Sequence, residues 1–155
     1  MRTAEPWVAS PLENFLLESE ARLVVILTRS GQVVAQHGFD RSGDLMSAAS
    51  LAAGIMAAGA ELSRLLEASS PRELAYEGEE LGIYLASIEL PGRTWTGLVG
   101  YGKETSLGLV QLFFAELAAE LERAAPPPPP EGFPTVLDRD FEAELDRSLR
   151  SLFGR

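Results

Sequence analysis

Apolar positions along the first 125 residues follow two different spacings, which divide this part of the chain into eight elements. Apolar runs rich in β-branched residues and bounded by Gly, Pro or Ser predict strands at residues 23–28, 33–36, 73–77, 82–90 and 94–101. Apolar residues at helical spacing predict helices after Ser10, over about residues 44–68 and over residues 106–125. The order α-ββ-α-βββ-α, with most strands linked as hairpins, predicts an α+β domain in which helices cover a single antiparallel sheet.

Capping residues and turn residues mark where these elements begin and end. Residues 10–13, Ser-Pro-Leu-Glu, form a capping-box pattern at the start of the first helix. Residues 69–71, Ser-Ser-Pro, end the long helix, because proline cannot continue it. Residues 91–92, Pro-Gly, predict the turn between the last two strands.

The long helix is apolar over more than half of its circumference. On a helical wheel, the apolar arc that we expect to face the sheet holds Ala48, Leu51, Ile55, Leu62 and Leu66. A second, neighbouring arc holds Leu45, Ala49, Ala53, Met56 and Ala60. A helix this apolar must be covered on two sides. The second arc therefore predicts a contact with another helix of the same chain or with a second subunit, and its residues and Arg64 are candidate partner-binding residues.

Five consecutive prolines at residues 126–130 separate a C-terminal segment from the domain. We predict a domain over residues 1–125, a Pro-rich linker over 126–134 and a tethered amphipathic helix within 135–155. Its apolar side, which we expect to bind a partner, consists of Phe141, Leu145, Leu149, Leu152 and Phe153. Burying five such side chains is worth roughly 7–15 kcal/mol, and ordering the backbone of this segment costs a similar amount. We therefore expect reversible docking, on its own domain or on a partner.

The net charge and the small number of reactive side chains restrict the partners and the kinds of site that the chain can have. The 155 residues include 13 basic and 23 acidic side chains, for a net charge of −10. Such an excess of acid repels phosphate backbones and anionic lipid, so we expect neither nucleic acid nor a membrane as partner. There is no cysteine and one histidine, which leaves little for a metal site or for acid–base catalysis. The first ten residues lack the pattern of a secretory signal, and we expect a cytoplasmic protein.

Residues 97–104, Gly-Leu-Val-Gly-Tyr-Gly-Lys-Glu, come close to the phosphate-binding P-loop pattern G-x-x-x-x-G-K-[ST]. The place of the Mg²⁺-binding hydroxyl is taken by Glu104, whose carboxylate would repel phosphate. We therefore interpret the segment as a strand-to-helix turn with Thr105 or Ser106 as the helix N-cap. His37 has no catalytic motif around it, and the acidic run at residues 77–80 is typical of a solvated loop. The sequence predicts no catalytic residue, no metal site and no cofactor.

The first hairpin and the two long helices carry segments that occur together in one protein family. Residues 26–35 read ILTRSGQVVA, and residues 49–54 read ASLAAG. Residues 65–66, 82–85 and 105–110 read LL, GIYL and TSLGLV. With the element order, these segments resemble the Roadblock dynein-light-chain family and, with the C-terminal helix behind its linker, the bacterial MglB-type regulators within it. Thr28 departs from the pattern, since many relatives have Asp at this position.

The resemblance implies a longin-like fold, in which a five-stranded antiparallel sheet has helices on both faces. It also implies a homodimer in which the strands of two subunits join into one sheet and the long helices pair, which would cover the second arc. The implied partner is a Ras-like small GTPase of the MglA type, with one GTPase bound per dimer on the paired helices.

The resemblance also implies a mode of action. MglB-type regulators accelerate GTP hydrolysis by repositioning the GTPase's own residues, and their terminal helix is associated with nucleotide exchange. We thus expect a regulator without catalytic residues of its own, acting in bacterial cell polarity or motility and enriched at a cell pole. The alternative is a non-catalytic dimeric Roadblock scaffold of a signalling or motor complex. The tethered helix favours the regulator, because a bare scaffold needs no such helix.

Overall fold

One antiparallel sheet with helices on both sides forms the domain. In the computed structural model, which describes residues 1–69, 72–127, 147–148 and 150–152, the strands are β1 (Arg2–Thr3), β2 (Leu23–Thr28), β3 (Val33–His37), β4 (Glu73–Glu77), β5 (Gly82–Leu90) and β6 (Arg93–Tyr101). The helices are α1 (Ala9–Ser19), α2 (Ser42–Leu65) and α3 (Leu107–Ala124), and a 3-10 turn over Pro6–Val8 precedes α1. The strands follow the order β1-β3-β2-β6-β5-β4.

The predicted α+β architecture is confirmed, with one strand more than expected. The five predicted strands are β2 to β6, and helices cover both faces of the sheet. The additional strand, β1, pairs with β3 through Arg2 opposite Gln36 and Thr3 opposite Ala35. Its two residues are too few to show an alternating pattern, so periodicity could not have found it.

β2 lies inside the sheet between β3 and β6, and its side chains are buried on both faces. Val24 and Ile26 belong to the larger apolar core, which α1 and α3 cover. Val25 and Leu27 belong to the smaller apolar core, under α2. Because β2 is buried on both faces, residues 23–28 are a continuous apolar run and do not alternate between apolar and polar side chains.

The capping box predicted at residues 10–13 is wrong. Val8 occupies the N-cap position of α1, and no side chain bonds to the free N–H groups there. Val8 is fully buried, and Trp7 stacks on Trp95 with the ring centroids 5.3 Å apart. Packing of the preceding 3-10 turn on the sheet, and not a capping side chain, therefore sets the start of this helix.

The two faces of α2 are the reverse of the predicted ones. Ala49 and Ala52 are buried against the sheet, and Leu45, Ala53 and Met56 pack half-buried beside them. Ala48 also packs there, but the other residues expected on the sheet are exposed, namely Leu51, Ile55, Leu62 and Leu66.

Close packing of α2 on the turn between β2 and β3 explains this reversal. Gly31 lies in that turn with a φ of 89°. A Cβ at Gly31 would lie 3.6 Å from the Cβ of Ala53 and 3.7 Å from the carbonyl oxygen of Ala49. Because the turn approaches the helix so closely, only small side chains fit at Ala49 and Ala53, where the helix meets the turn. The wheel separates the two arcs, but side-chain size decides which of them faces the sheet.

Gly97 provides a test of the packing between the sheet and α3. A Cβ added at this position in β6 would overlap the ring of Phe114 on α3. We expect Gly97→Ala to lower the free energy of unfolding by about 1–3 kcal/mol, the usual cost of an overpacked core. Gly108→Ala is the matched control, because a Cβ there meets nothing within 4 Å. Urea unfolding checks both variants, and equal stability of Gly97→Ala and the wild type would contradict the described packing.

Candidate interaction surface

The side of α2 that points away from the sheet is an uncovered apolar surface. At the spacing of a helix its residues fall on one side, and we call them the outward face of α2: Leu51, Ile55, Ala58, Leu62 and Leu66. Leu51 is 68% exposed and Leu66 is 70% exposed. Burying a leucine side chain stabilises a complex by about 1.5–3 kcal/mol. A partner that covers this face is therefore bound favourably. Exposed apolar patches of this kind are typical of interaction sites.

The composition of α2 is also that of a membrane-spanning helix. Its mean hydropathy reaches 1.5 over an 18-residue window, of which 11% is buried. The opposite side of the helix, however, packs on the sheet through Ala49 and Ala52, so α2 is a part of the folded domain. The net charge of −10 repels anionic lipid. A protein partner therefore fits the outward face better than a bilayer.

β4 presents an open edge of the sheet, which we call the β4 edge. All five of its residues are exposed, with Tyr76 at 68%. The strand pairs with β5 on one side, and no strand in the described part of the chain pairs with its other side. Unpaired N–H and C=O groups along a strand are a template for pairing with a second strand.

Glu73 holds the start of β4 against the rest of the domain. The Tyr84 hydroxyl on β5 donates to one carboxylate oxygen at 2.5 Å, and the Gln111 amide on α3 donates to the other at 3.1 Å. Burial, together with the hydrogen bond to Glu73, raises the pKa of Tyr84. The β4 edge is therefore in position without any partner.

A groove of about 700 Å³ is the third feature of this region. It lies between the second half of α2 and the face of β5 and β6, and we call it the α2 groove. Small side chains line its helical wall, among them Ala53, Ala57 and Ala60. Arg72, one residue before β4, also lines it. The α2 groove thus borders α2 on one side and comes within one residue of the β4 edge at Arg72.

The predicted partner-binding residues of α2 are divided between this groove and the core. Those that line the α2 groove are Ala53, Met56 and Ala60. Arg64 is exposed and forms an ion pair with Glu61 at 2.8 Å. Leu45 is half-buried against the sheet, and Ala49 has no exposed surface with which to contact a partner. The helical wheel placed the large leucines of α2 on the side of the sheet, although they are exposed. Their size, next to a stripe of alanines, could have identified them as surface residues.

The C-terminal residues predicted to bind a partner are mostly not described. Phe141, Leu145, Leu149 and Phe153 lie outside the described residues. The backbone of Leu152 is helical and its side chain is 79% exposed. The linker, the amphipathic helix and its apolar side stay predictions.

The segment that resembles a P-loop is a strand-to-helix turn, as interpreted. Gly97 and Gly100 lie inside β6, and the Ser106 hydroxyl caps α3 by accepting a hydrogen bond from the Leu109 N–H at 3.3 Å. Glu104, in the position of the metal-binding hydroxyl, forms a bidentate ion pair with Arg22 at 2.7 and 3.0 Å. Among the described residues, no group of three His, Cys, Asp or Glu side chains could hold a metal ion.

Comparison of the sequence and the fold with known proteins identifies the family of this domain. The sequence pattern of the Roadblock/LC7 domain matches residues 11–89. The chain belongs to the Roadblock/LC7 family. Within this family, the resemblance to MglB proteins is also found in solved structures, whereas a comparison with curated protein sequences finds no significant match.

Three MglB structures share the fold of this Roadblock domain. Myxococcus xanthus MglB superposes with a TM-score of 0.68 at 25% identity, covering 77% of this chain and 95% of that chain. The gliding protein MglB from Thermus thermophilus superposes at 0.67 and 26% identity, covering 81% and 93%. An MglB with a tetrameric arrangement superposes at 0.66 and 27% identity, covering 76% and 87%.

The ion pair at the end of β6 makes the stability of this Roadblock domain pH-dependent. The hydrogen bonds donated by Arg22 lower the pKa of Glu104, and backbone hydrogen bonds add to the effect. Because the folded-state pKa is lowered, the stabilisation is complete above the ordinary carboxyl pKa of 4.5 and is lost as pH falls through the folded value.

We therefore expect Arg22→Ala to raise the pKa of Glu104, measured by NMR titration of the carboxyl carbon. The stability difference between Arg22→Ala and the wild type should be largest at neutral pH and should shrink as pH falls through the lowered folded-state pKa of Glu104. Lys103→Ala, an exposed cation in the same loop, is the control and should leave this pKa unchanged. An unchanged Glu104 titration in Arg22→Ala would show that the pair does not form in solution.

Proposed function

We propose that this chain is a homodimeric regulator of a Ras-like small GTPase of the MglA type, and that it stimulates GTP hydrolysis by repositioning the GTPase's own residues. The likeness to MglB structures over most of the Roadblock domain carries this proposal. The outward face of α2, the α2 groove and the β4 edge support it, because a regulator of this kind must bind both a second copy and a partner.

The proposed dimer joins two copies through their β4 edges. Antiparallel pairing of two identical strands is compatible with a two-fold axis, so the same patch serves on both subunits. The two sheets then become one, and the two α2 helices lie side by side on the same face of it. The second copy covers the α2 groove, whose small side chains let the helix backbones approach.

The proposed GTPase site is the outward face of the paired α2 helices. After dimer formation this face still presents large apolar side chains from both subunits, such as Leu51 and Ile55. One GTPase that spans the two-fold axis would contact both copies. Roadblock proteins of this kind are regulatory and not catalytic in general, so the hydrolytic residues come from the GTPase.

The C-terminal helix completes the proposal. We expect it to bind the flank of the GTPase and to affect nucleotide exchange, in a cytoplasmic protein enriched at a cell pole and active in cell polarity or motility. A dimeric Roadblock scaffold that binds the GTPase without stimulating it is the alternative, and a single-turnover assay separates the two.

The dimer is tested by a charge placed on the helical wall of the α2 groove. Ala57→Glu would bring like charges together across the two-fold axis, and we expect at least about tenfold weaker dimerisation, since even one uncompensated charge costs more than about 1.4 kcal/mol. Ala115→Glu makes the same change at an exposed position of α3 and should leave the dimer intact. Sedimentation equilibrium at micromolar concentration is the measurement, and a monomeric wild type would refute the proposed dimer.

Single-turnover hydrolysis by an MglA-type GTPase tests the regulatory activity. We expect stimulation by the wild-type chain and its loss in Ile55→Glu, which changes the outward face of α2. Arg64→Ala and Arg72→Ala should keep the rate at saturation within about tenfold, whereas loss of an arginine finger costs about 10³–10⁵. A thousandfold fall in either arginine variant would show direct catalysis. GTPase binding without any stimulation would favour the scaffold.

A further inference from the structure

A second concave site lies at the end of the sheet, where the β2–β3 turn, the β5–β6 turn and the N-terminal segment meet. Its volume is about 700 Å³. We call it the Arg93 pocket, and the residues that matter for its chemistry are Glu5, Thr28, Arg29, Gln32, Arg93 and Trp95. None of these residues belongs to the outward face of α2 or to the β4 edge, although Arg29 also borders the α2 groove.

The Arg93 guanidinium is held in place by two indole rings. Its central carbon lies 5.0 Å from the ring centroid of Trp95 and 5.6 Å from that of Trp7, within the range of cation–π attraction. The Nε atom is covered by protein and has no hydrogen-bond acceptor among the described residues. An arginine keeps its charge at all pH values of interest, so this cation is partly desolvated and forms no ion pair within the described part of the chain.

The pocket as a whole carries an excess of positive charge. Arg29 and Arg93 both line it, and neither forms an ion pair with another described residue. The one carboxylate in the lining, that of Glu5, already accepts a hydrogen bond from the Trp7 indole N–H at 3.2 Å. The net charge of the chain is −10, so two guanidinium groups around one cavity, with a single carboxylate beside them, are a local reversal of the overall charge.

We propose that the Arg93 pocket binds an oxyanion, a carboxylate or phosphate group, through the guanidinium groups of Arg29 and Arg93. A guanidinium presents a planar fork of N–H donors that matches both kinds of group. The indole rings fix the orientation of Arg93, which reduces the entropy that binding would otherwise cost. The Thr28 hydroxyl and the Gln32 amide are further polar groups in the lining. This site is independent of the proposed GTPase regulation.

Tryptophan fluorescence reports on this pocket directly, because the only two tryptophans of the chain, Trp7 and Trp95, both contact Arg93. The full chain is titrated separately with inorganic phosphate and with N-acetylglutamate, with sodium chloride holding the ionic strength constant. We expect a saturable change with at least one of them, and the comparison identifies whether phosphate or carboxylate is preferred. Indole N–H signals in proton–nitrogen NMR spectra are followed in the same titrations, so binding that leaves the fluorescence unchanged is also detected.

Two variants and a control locate the binding. Arg93→Gln should weaken binding at least about tenfold, the effect of losing a charge-assisted hydrogen bond. Arg29→Gln should also weaken binding. Because Arg29 is an exposed turn residue, this variant still tests the proposal if Arg93→Gln disturbs the stacked indole rings. Arg123→Gln, on the last turn of α3, is the matched control and should bind as the wild type does. Absence of a saturable change with both anions, or equal binding by all three variants, would overturn the proposal.

Discussion

The width of the sheet is the constraint on which the other features depend. Six strands about 4.8 Å apart span roughly 24 Å, whereas a helix with its side chains is about 10 Å wide. On one face, α1 and α3 together match this width and enclose the larger core. On the other face, α2 is the one helix of the described residues that covers the smaller core. One helix cannot cover that face, so the side of the sheet next to β4 remains open.

This partial cover explains why α2 is apolar on two sides. Its alanine side approaches the sheet closely, because Gly31 and the turn around it leave no room for larger residues at Ala49 and Ala53. Its leucine side has no counterpart in the described part of the chain, yet large apolar side chains on a solvent-facing helix favour association. The same asymmetry applies to the strands. At one edge of the sheet the terminal strand β1 has only two residues, whereas at the other edge β4 is exposed along all five of its residues.

The elements that could be predicted from the sequence are those whose signal lies within a few consecutive residues. β2, β5, β6 and the Ser106 cap of α3 follow from local patterns, since runs of buried residues and a serine at a helix start carry their own signals. The missed features depend on contacts between distant segments. The start of α1 is set by Trp7 against Trp95, and the orientation of α2 is set by a hairpin turn some twenty residues away. The α2 groove and the Arg93 pocket are likewise assembled from segments that no local pattern connects.

The glycines in β6 and directly after it illustrate why a motif needs its structural context. Gly97 leaves the space that the Phe114 ring occupies, Gly100 leaves space for the Leu23 side chain, and Gly102 leaves space for the Arg22 guanidinium. Their spacing imitates a phosphate-binding loop, but each glycine lies where a side chain from a neighbouring element contacts the strand backbone. A P-loop uses glycines so that backbone N–H groups can surround a phosphate, whereas the N–H groups of β6 are engaged in pairing with β2 and β5. The glycine pattern therefore reports close packing inside the Roadblock sheet.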